Sequence, residues 1–225
     1  MLLGLRWLAL EAKYLDRARE FYATNLDLSV VREGDGEVVF DAGETDLVLR
    51  EPGKVPRGGV HTHYAFAAPP DRYEAWRDRL GESFDLTEFD FGGAQSLYFY
   101  DPDGNCVEIG SCGEGEAAIT DVFEVVFEVE DLDRAESFYR SLGFEPLDRG
   151  EKRRRVRLGG PVDLELWEPQ LGIADARGGL HVDVGFAAGD PAAVGEAVRD
   201  RPCGVERLDE GVRIRDPDGH YLTVK

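Results

Sequence analysis

The spacing of apolar residues changes along the chain in a regular order. An apolar, loosely alternating stretch from Met1 to Leu10 reads as a strand; Leu15, Ala18, Tyr22 and Leu26 then recur at helical spacing, and Glu37–Asp41 and Asp46–Arg50 return to strand-like patterning. This succession predicts a βαβββ unit. The order repeats with strand His61–Ala67, a helix through Tyr73, Trp76 and Leu80 after Pro69-Pro70, and strands Gln95–Tyr100 and Cys106–Gly110 flanking a DPDG turn. Gly- and Pro-containing links such as Glu51–Val60 separate the units and have the length of ordinary connections.

The second half of the chain copies the first. Trp7–Tyr22 reads WLALEAKYLDRAREFY and Glu124–Tyr139 reads EVVFEVEDLDRAESFY, an offset of 117 residues. Arg57–Ala68, RGGVHTHYAFAA, matches Arg177–Ala188, RGGLHVDVGFAA, and both halves carry DPDG, at Asp101–Gly104 and Asp216–Gly219. The expected division is therefore an N-terminal domain over 1–112, with modules 1–54 and 57–112, and a C-terminal domain over 119–225, with modules 119–170 and 177–225. Helices are expected to begin near Leu15, Pro70, Leu132 and Pro191.

Composition narrows the class of function. Among 225 residues, 46 acids against 26 Lys and Arg give a net charge of −20, a field that opposes binding to a phosphate backbone. No apolar run approaches the roughly 20 residues that cross a bilayer, and the opening strand lacks a basic start and a cleavage site. Cys106, Cys112 and Cys203 show neither CxxC nor zinc-type spacing, which suits reduced thiols in a cytoplasm. Lysine occurs only at Lys13, Lys54, Lys152 and Lys225, and many acids with few lysines match adaptation to a salt-rich cytosol, where a Debye length of about 3 Å screens self-repulsion. The expected result is a melting temperature that climbs strongly from dilute buffer to molar KCl; equal values at both salt levels would show that the acids are not felt as a field.

Four βαβββ modules with HYAF-like first strands and a DPDGNxxE hairpin resemble the vicinal oxygen chelate superfamily, which includes glyoxalase I, extradiol ring-cleaving dioxygenases and bleomycin-resistance proteins. The resemblance implies an α+β fold: modules pair into two open, curved mixed-sheet barrels with helices outside, around a cavity that often holds a divalent metal. It also implies that metal ligands come from the first and last strand of each module. With a period of two, His63 then faces the cavity together with His61 and Ala65, while Tyr64 and Phe66 cover the helix; Glu108 faces inward with Cys106. An imidazole and a carboxylate suit Zn, Ni, Mn or Fe(II). Leu97-Tyr98, Asp101-Pro102, Gly104 and Glu108 resemble the second half of the extradiol dioxygenase signature, although Phe91 stands where that signature begins with His, and Trp7 where the partner module has its first-strand His.

The same face assignment offers Glu124, Glu128, Glu165 and Trp167 from module three, Asp183 and Thr223 from module four, and Trp7 and Val48 from module one. Pairing in chain order would join His63 and Glu108 in one barrel and Glu124, Glu165, Asp183 and Thr223 in the other. Crosswise pairing would instead unite His63, Glu108, Glu124 and Glu165 and leave modules one and four without a His ligand. The only basic run, Lys152–Arg157 (KRRRVR), either forms a solvated hairpin tip or turns Arg153, Arg155 and Arg157 inward to pair with the glutamates or grip an anionic substrate.

Two classes of function follow. The first is a metal-dependent lyase, isomerase or dioxygenase acting on a small vicinally oxygenated compound, with metal ligands His63, Glu108, Glu124 and Glu165, catalytic roles for Tyr98 and Glu165, and substrate contacts from Trp7, Trp167 and Arg157. The second is a metal-free binder of a small molecule with Trp7, Trp167 and Tyr98 as stacking walls, or a remnant closed by Arg–Glu pairs. Either is expected to be cytoplasmic, monomeric or homodimeric, with no nucleic-acid or membrane partner.

Overall fold

Each helix begins where the apolar spacing widens from two to three or four. The computed structural model describes residues 1–53, 59–169, 179–201 and 204–225; the module limits 54, 57, 170 and 177, the segments Arg57-Gly58 and Arg177-Gly178, and Cys203 lie outside them. Module one comprises β1 (Leu2–Glu11), α1 (Leu15–Asn25), β2 (Ser29–Gly34), β3 (Glu37–Asp41) and β4 (Asp46–Arg50). Module two comprises β5 (Val60–Ala67), a 3-10 turn at Pro70–Arg72 leading into α2 (Tyr73–Gly81), then β6 (Thr87–Asp90), β7 (Gln95–Tyr100) and β8 (Cys106–Gly110). Module three comprises β9 (Asp121–Glu128), α3 (Leu132–Ser141), β10 (Glu145–Arg149), β11 (Arg155–Gly159) and β12 (Asp163–Trp167). Module four comprises β13 (Gly179–Ala188), α4 (Pro191–Ala197), β14 (Gly204–Arg207), β15 (Val212–Arg215) and β16 (Tyr221–Val224). Pro191 supplies a preset φ in the first turn of α4, and Asp131 and Asp190 accept from the backbone N–H of Arg134 and Ala193, capping α3 and α4.

The strands form two open, curved sheets of eight. One runs β2-β3-β4-β1-β13-β16-β15-β14 and the other β10-β11-β12-β9-β5-β8-β7-β6, touching where Gly179 and Leu180 pair with His61 and Val60. Each sheet thus joins one module from each half of the chain: β1 lies antiparallel to β13, and β5 antiparallel to β9. Of the two pairings open from the sequence, the crosswise one is observed. Tyr64, Phe66, Val107 and Ile109 pack with α2's Tyr73, Trp76 and Leu80 into the main core, so the opposite face of β5 and β8 belongs to His63, Ala65 and Glu108. No described helix is long and apolar enough to cross a membrane.

The repeated motifs touch one another. The buried Tyr22 hydroxyl donates to Asp101 Oδ2 at 2.7 Å, and Tyr139 donates to Asp216 Oδ2 at 2.8 Å, so the FY of each odd module grips the DPDG of the next. The other carboxylate oxygen of Asp216 accepts from the backbone N–H of Asp218 and His220 at 2.9 and 2.7 Å. Lys13 N–H reaches Asp103, and Glu130 N–H reaches Asp218, in the same way in both halves. These clamps hold modules one to two and three to four while the sheets hold one to four and two to three. Asp216→Ala removes an acceptor from three donors and strands a fully buried phenol, so a loss of about 3 kcal/mol is expected, against about 1 kcal/mol for Tyr139→Phe. Urea melts with unchanged slope would read both; equal losses would count against the clamp.

Candidate metal centre

The centre forms on three neighbouring strands. Ala65 on β5 is flanked in register by Glu108 on β8 and by Glu124 on β9, and its methyl leaves open the space between the two carboxylates. His63, two residues earlier on the same face, leans into that space. Its Nε2 lies 3.1 Å from Glu108 Oε2 and 3.6 Å from Glu124 Oε2. Among the described residues, this is the one His/Cys/Asp/Glu group whose candidate ligand atoms all lie within 4.8 Å of one another.

Electrostatics couple the three. Burial alone lowers the proton affinity of His63, but hydrogen bonds and charge from Glu108 and Glu124 prevail and raise its pKa to about 9. For Glu108, burial raises the pKa, yet hydrogen bonds from His63, Ser96 and Tyr98 outweigh it and hold the carboxyl below its usual range. Burial, with the negative charge of Glu108, pushes the Tyr98 phenol far up, so it stays protonated and donates to Glu108. Glu108 Oε2 is enclosed away from solvent and faces His63 Nε2 at 3.1 Å, a position at which a cation could take the place of the imidazole proton. One imidazole and two carboxylates around such a position fit Zn, Ni, Mn or Fe(II).

Glu165 on β12 faces the same side but lies outside the close group, because Arg155 on β11 holds its Oε1. Burial raises its pKa, and the charge of Glu124 raises it further. Arg157 Nε sits 3.0 Å from Glu124 Oε1 while an Nη sits 2.8 Å from Asp163, so Glu124 bridges an arginine and the histidine. The basic run splits with a period of two: Val156 and Leu158 enter the core, Arg155 and Arg157 face the glutamates, and the Arg153 guanidinium lies 5.0 Å from the Trp167 ring centre. Trp167 and Tyr98 stand edge-on to His63, at 6.2 and 5.4 Å between ring centres. His61 does not join them: a register shift separates it from His63, and its ring packs edge-on to Tyr64.

Trp7 is not part of this group. It belongs to the other sheet, where its indole donates to Asp183 at 3.0 Å, Thr223 donates to the same carboxylate at 2.9 Å, and Ala9, Val39 and Val48 fill in around it. Trp7, Val48, Asp183 and Thr223 occupy the repeat positions of Glu124, Glu165, His63 and Glu108, so one sheet carries a His/Glu centre and its twin a packed plug. Sequence reasoning did not single out Ser96 or Asp163. The alternation in β7, which puts Ser96 on the face of Tyr98, carried that signal for the first.

With this geometry in hand, known proteins fall into line with it. Residues 4–109 match the family model described as Glyoxalase/Bleomycin resistance protein/Dioxygenase superfamily. A stretch of 114 residues is 34% identical to biphenyl-2,3-diol 1,2-dioxygenase 2 of Rhodococcus globerulus, spanning 44% of this chain and 58% of that protein. A Bacillus subtilis structure described as that of a candidate dioxygenase superposes over 99% of this chain and 84% of its own with a TM-score of 0.79 at 17% identity. Glyoxalase I from Zea mays covers 98% of this chain and 91% of its own, with a TM-score of 0.72 at 19% identity. The fold of the whole chain is therefore the glyoxalase-like fold, and its first half carries the sequence pattern of that superfamily.

Proposed function

We propose that this chain is a divalent-metal-dependent enzyme of the glyoxalase/dioxygenase superfamily, acting on a small compound with two neighbouring oxygens. The observation that carries the reading is the enclosed His63, Glu108 and Glu124 group, whose candidate ligand atoms converge within 4.8 Å. A bound metal would supply Lewis-acid polarisation of the substrate oxygens. His63, Glu108 and Glu124 would hold it, and Ser96 and Tyr98 orient Glu108 by donating to it. Glu165, with its raised proton affinity, is suited to take a proton from a carbon beside a polarised carbonyl and return it, while Arg155 steadies its carboxylate. Arg157 offers a guanidinium to an anionic group, and Trp167 would flank a substrate held beside His63. A salt-rich cytoplasm and a monomeric or homodimeric state complete the reading.

The test is metal analysis of untagged protein purified in high salt, before and after chelator dialysis and reloading with Zn, Ni, Mn or Fe(II). About one ion per chain is expected, since the described residues hold one close ligand group. No retention of any of the four ions would sink the enzyme reading. A second reading, a metal-free binder, rests on a specific feature: Arg157–Glu124 and Arg155–Glu165 pairs already neutralise two of the carboxylates. It takes over if the metal-free protein binds small ligands as well as the loaded one.

A further inference from the structure

The face of the β10-to-β6 sheet that carries His63 is chemically lopsided when its side chains are taken in strand order. At one end β11 and β12 bring Arg155, Arg157 and Glu165; in the middle β9, β5 and β8 bring Glu124, His63 and Glu108. Toward the other edge β7 brings Tyr98, and β6 brings Phe89. The Phe89 ring stands edge-on to Tyr98 at 5.6 Å, and Phe91, just beyond the strand, stacks on Phe89 at 6.0 Å. Tyr98 in turn stands edge-on to His63. A continuous aromatic path thus runs from solvent to the centre.

Its outer members are exposed at a cost. Phe89 is 52% and Phe91 66% accessible, although Phe99, their neighbour on the far side of β7, is buried in the core. The other outer strands, β2, β10 and β14, each expose one aliphatic side chain, Val31, Leu147 and Val205, but no pair of aromatic rings. The duplication provides an internal control. In the twin sheet the residue equivalent to Tyr98 is Arg213, whose ladder partner Glu206 answers to Thr87, and by the same register Leu208 stands where Phe89 does, so neither ring of the path is present. The aromatic path therefore accompanies the His/Glu centre and is missing beside the Trp7–Asp183 plug. Exposed paired aromatics leading into a polar centre are the pattern of a ligand wall, because ring faces and edges gain from a planar partner that water does not replace.

We infer that Phe89 and Phe91, through Tyr98, select a substrate in which a planar apolar group flanks the pair of oxygens that meets the centre. The inference rests on the proposed function and names its substrate class. The ring-bearing side of the substrate lies toward β6 and β7, and its oxygens lie over His63, Glu108 and Glu124. Phe89 and Phe91 act on specificity, not on the chemical step.

Two probes with one chelating head separate the contributions: acetohydroxamate and 2-naphthohydroxamate, titrated calorimetrically into the parent protein and the Phe89→Ser/Phe91→Ser variant, each Mn-loaded and metal-free. Both positions are exposed, so the variant keeps its fold, which far-UV circular dichroism checks. The expected result is at least about tenfold tighter binding of the naphthyl probe by the parent, a preference that collapses in the variant while acetohydroxamate affinity stays unchanged. Equal affinities for the two probes in the parent, or a naphthyl preference undiminished in the variant, would overturn the inference. Failure of the metal reading is distinguishable: Mn then makes no difference to either probe, while the naphthyl probe still tells parent from variant.

Discussion

Replacement of His63 by alanine is expected to lower divalent-metal affinity by more than about a hundredfold, roughly 2.7 kcal/mol, because the centre then keeps only two carboxylates. Carboxylates alone hold Zn, Ni or Fe(II) poorly, and losing even an outer partner of a ligand costs about 10- to 100-fold. Asp183→Ala serves as the control. Asp183 stands at the repeat position of His63 but is engaged by Trp7 and Thr223 in the other sheet, so its loss is expected to leave metal affinity unchanged. Dialysis competition against a chelator of known affinity measures both. Parallel losses in the two variants would show that a general loosening of the fold, not ligation, is being read.

The second large effect is a proton linked to the metal. In the metal-free protein His63 titrates near 9 instead of its ordinary 6.5 because Glu108 and Glu124 face it. A folded-state pKa raised above the unfolded one gives stability that is fully present below about pH 6.5 and is lost as pH climbs through 9. The shift corresponds to roughly 3 kcal/mol. The depressed Glu108 carboxyl bounds the same ion pair on the acid side, its share disappearing as pH falls through the lowered folded value. A metal must displace the imidazole proton, so affinity should rise about tenfold per pH unit up to about pH 9, with about one proton released per ion at neutral pH. Calorimetry in buffers of different ionisation enthalpy counts that proton. Release of none, in a protein that still binds metal, would mean that His63 is already neutral before loading.

The regular elements could be read along the chain because burial there follows local periodicity. Leu15, Ala18, Tyr22 and Leu26 face the sheet at helical spacing, and Val107 and Ile109 alternate with Glu108 across β8, so helix starts and inward faces agree with the structure. The outer strands β2, β6, β10 and β14 are different. They lie at sheet edges with mostly exposed residues, and without a buried face they leave no alternation to detect. The same period places His61 beside His63, but a register shift in the β5–β9 ladder breaks the alternation between them.

Residue type and repeat position determined which side chains can ligate: His63, Glu108, Glu124 and Glu165 hold the first- and last-strand positions of modules two and three, and Trp7, Val48, Asp183 and Thr223 those of one and four. Their assembly was decided only in three dimensions. Strand partners are chosen by long-range hydrogen bonding between β5 and β9 and between β1 and β13, edges that look alike in a duplicated sequence. That choice brings Glu124 to His63 and leaves Trp7 to fill the twin site with Asp183, whereas the Arg155–Glu165 pair is settled within the β11–β12 hairpin of one module. Local patterning encodes which face a residue takes, whereas the company it keeps on that face depends on which sheet edges meet.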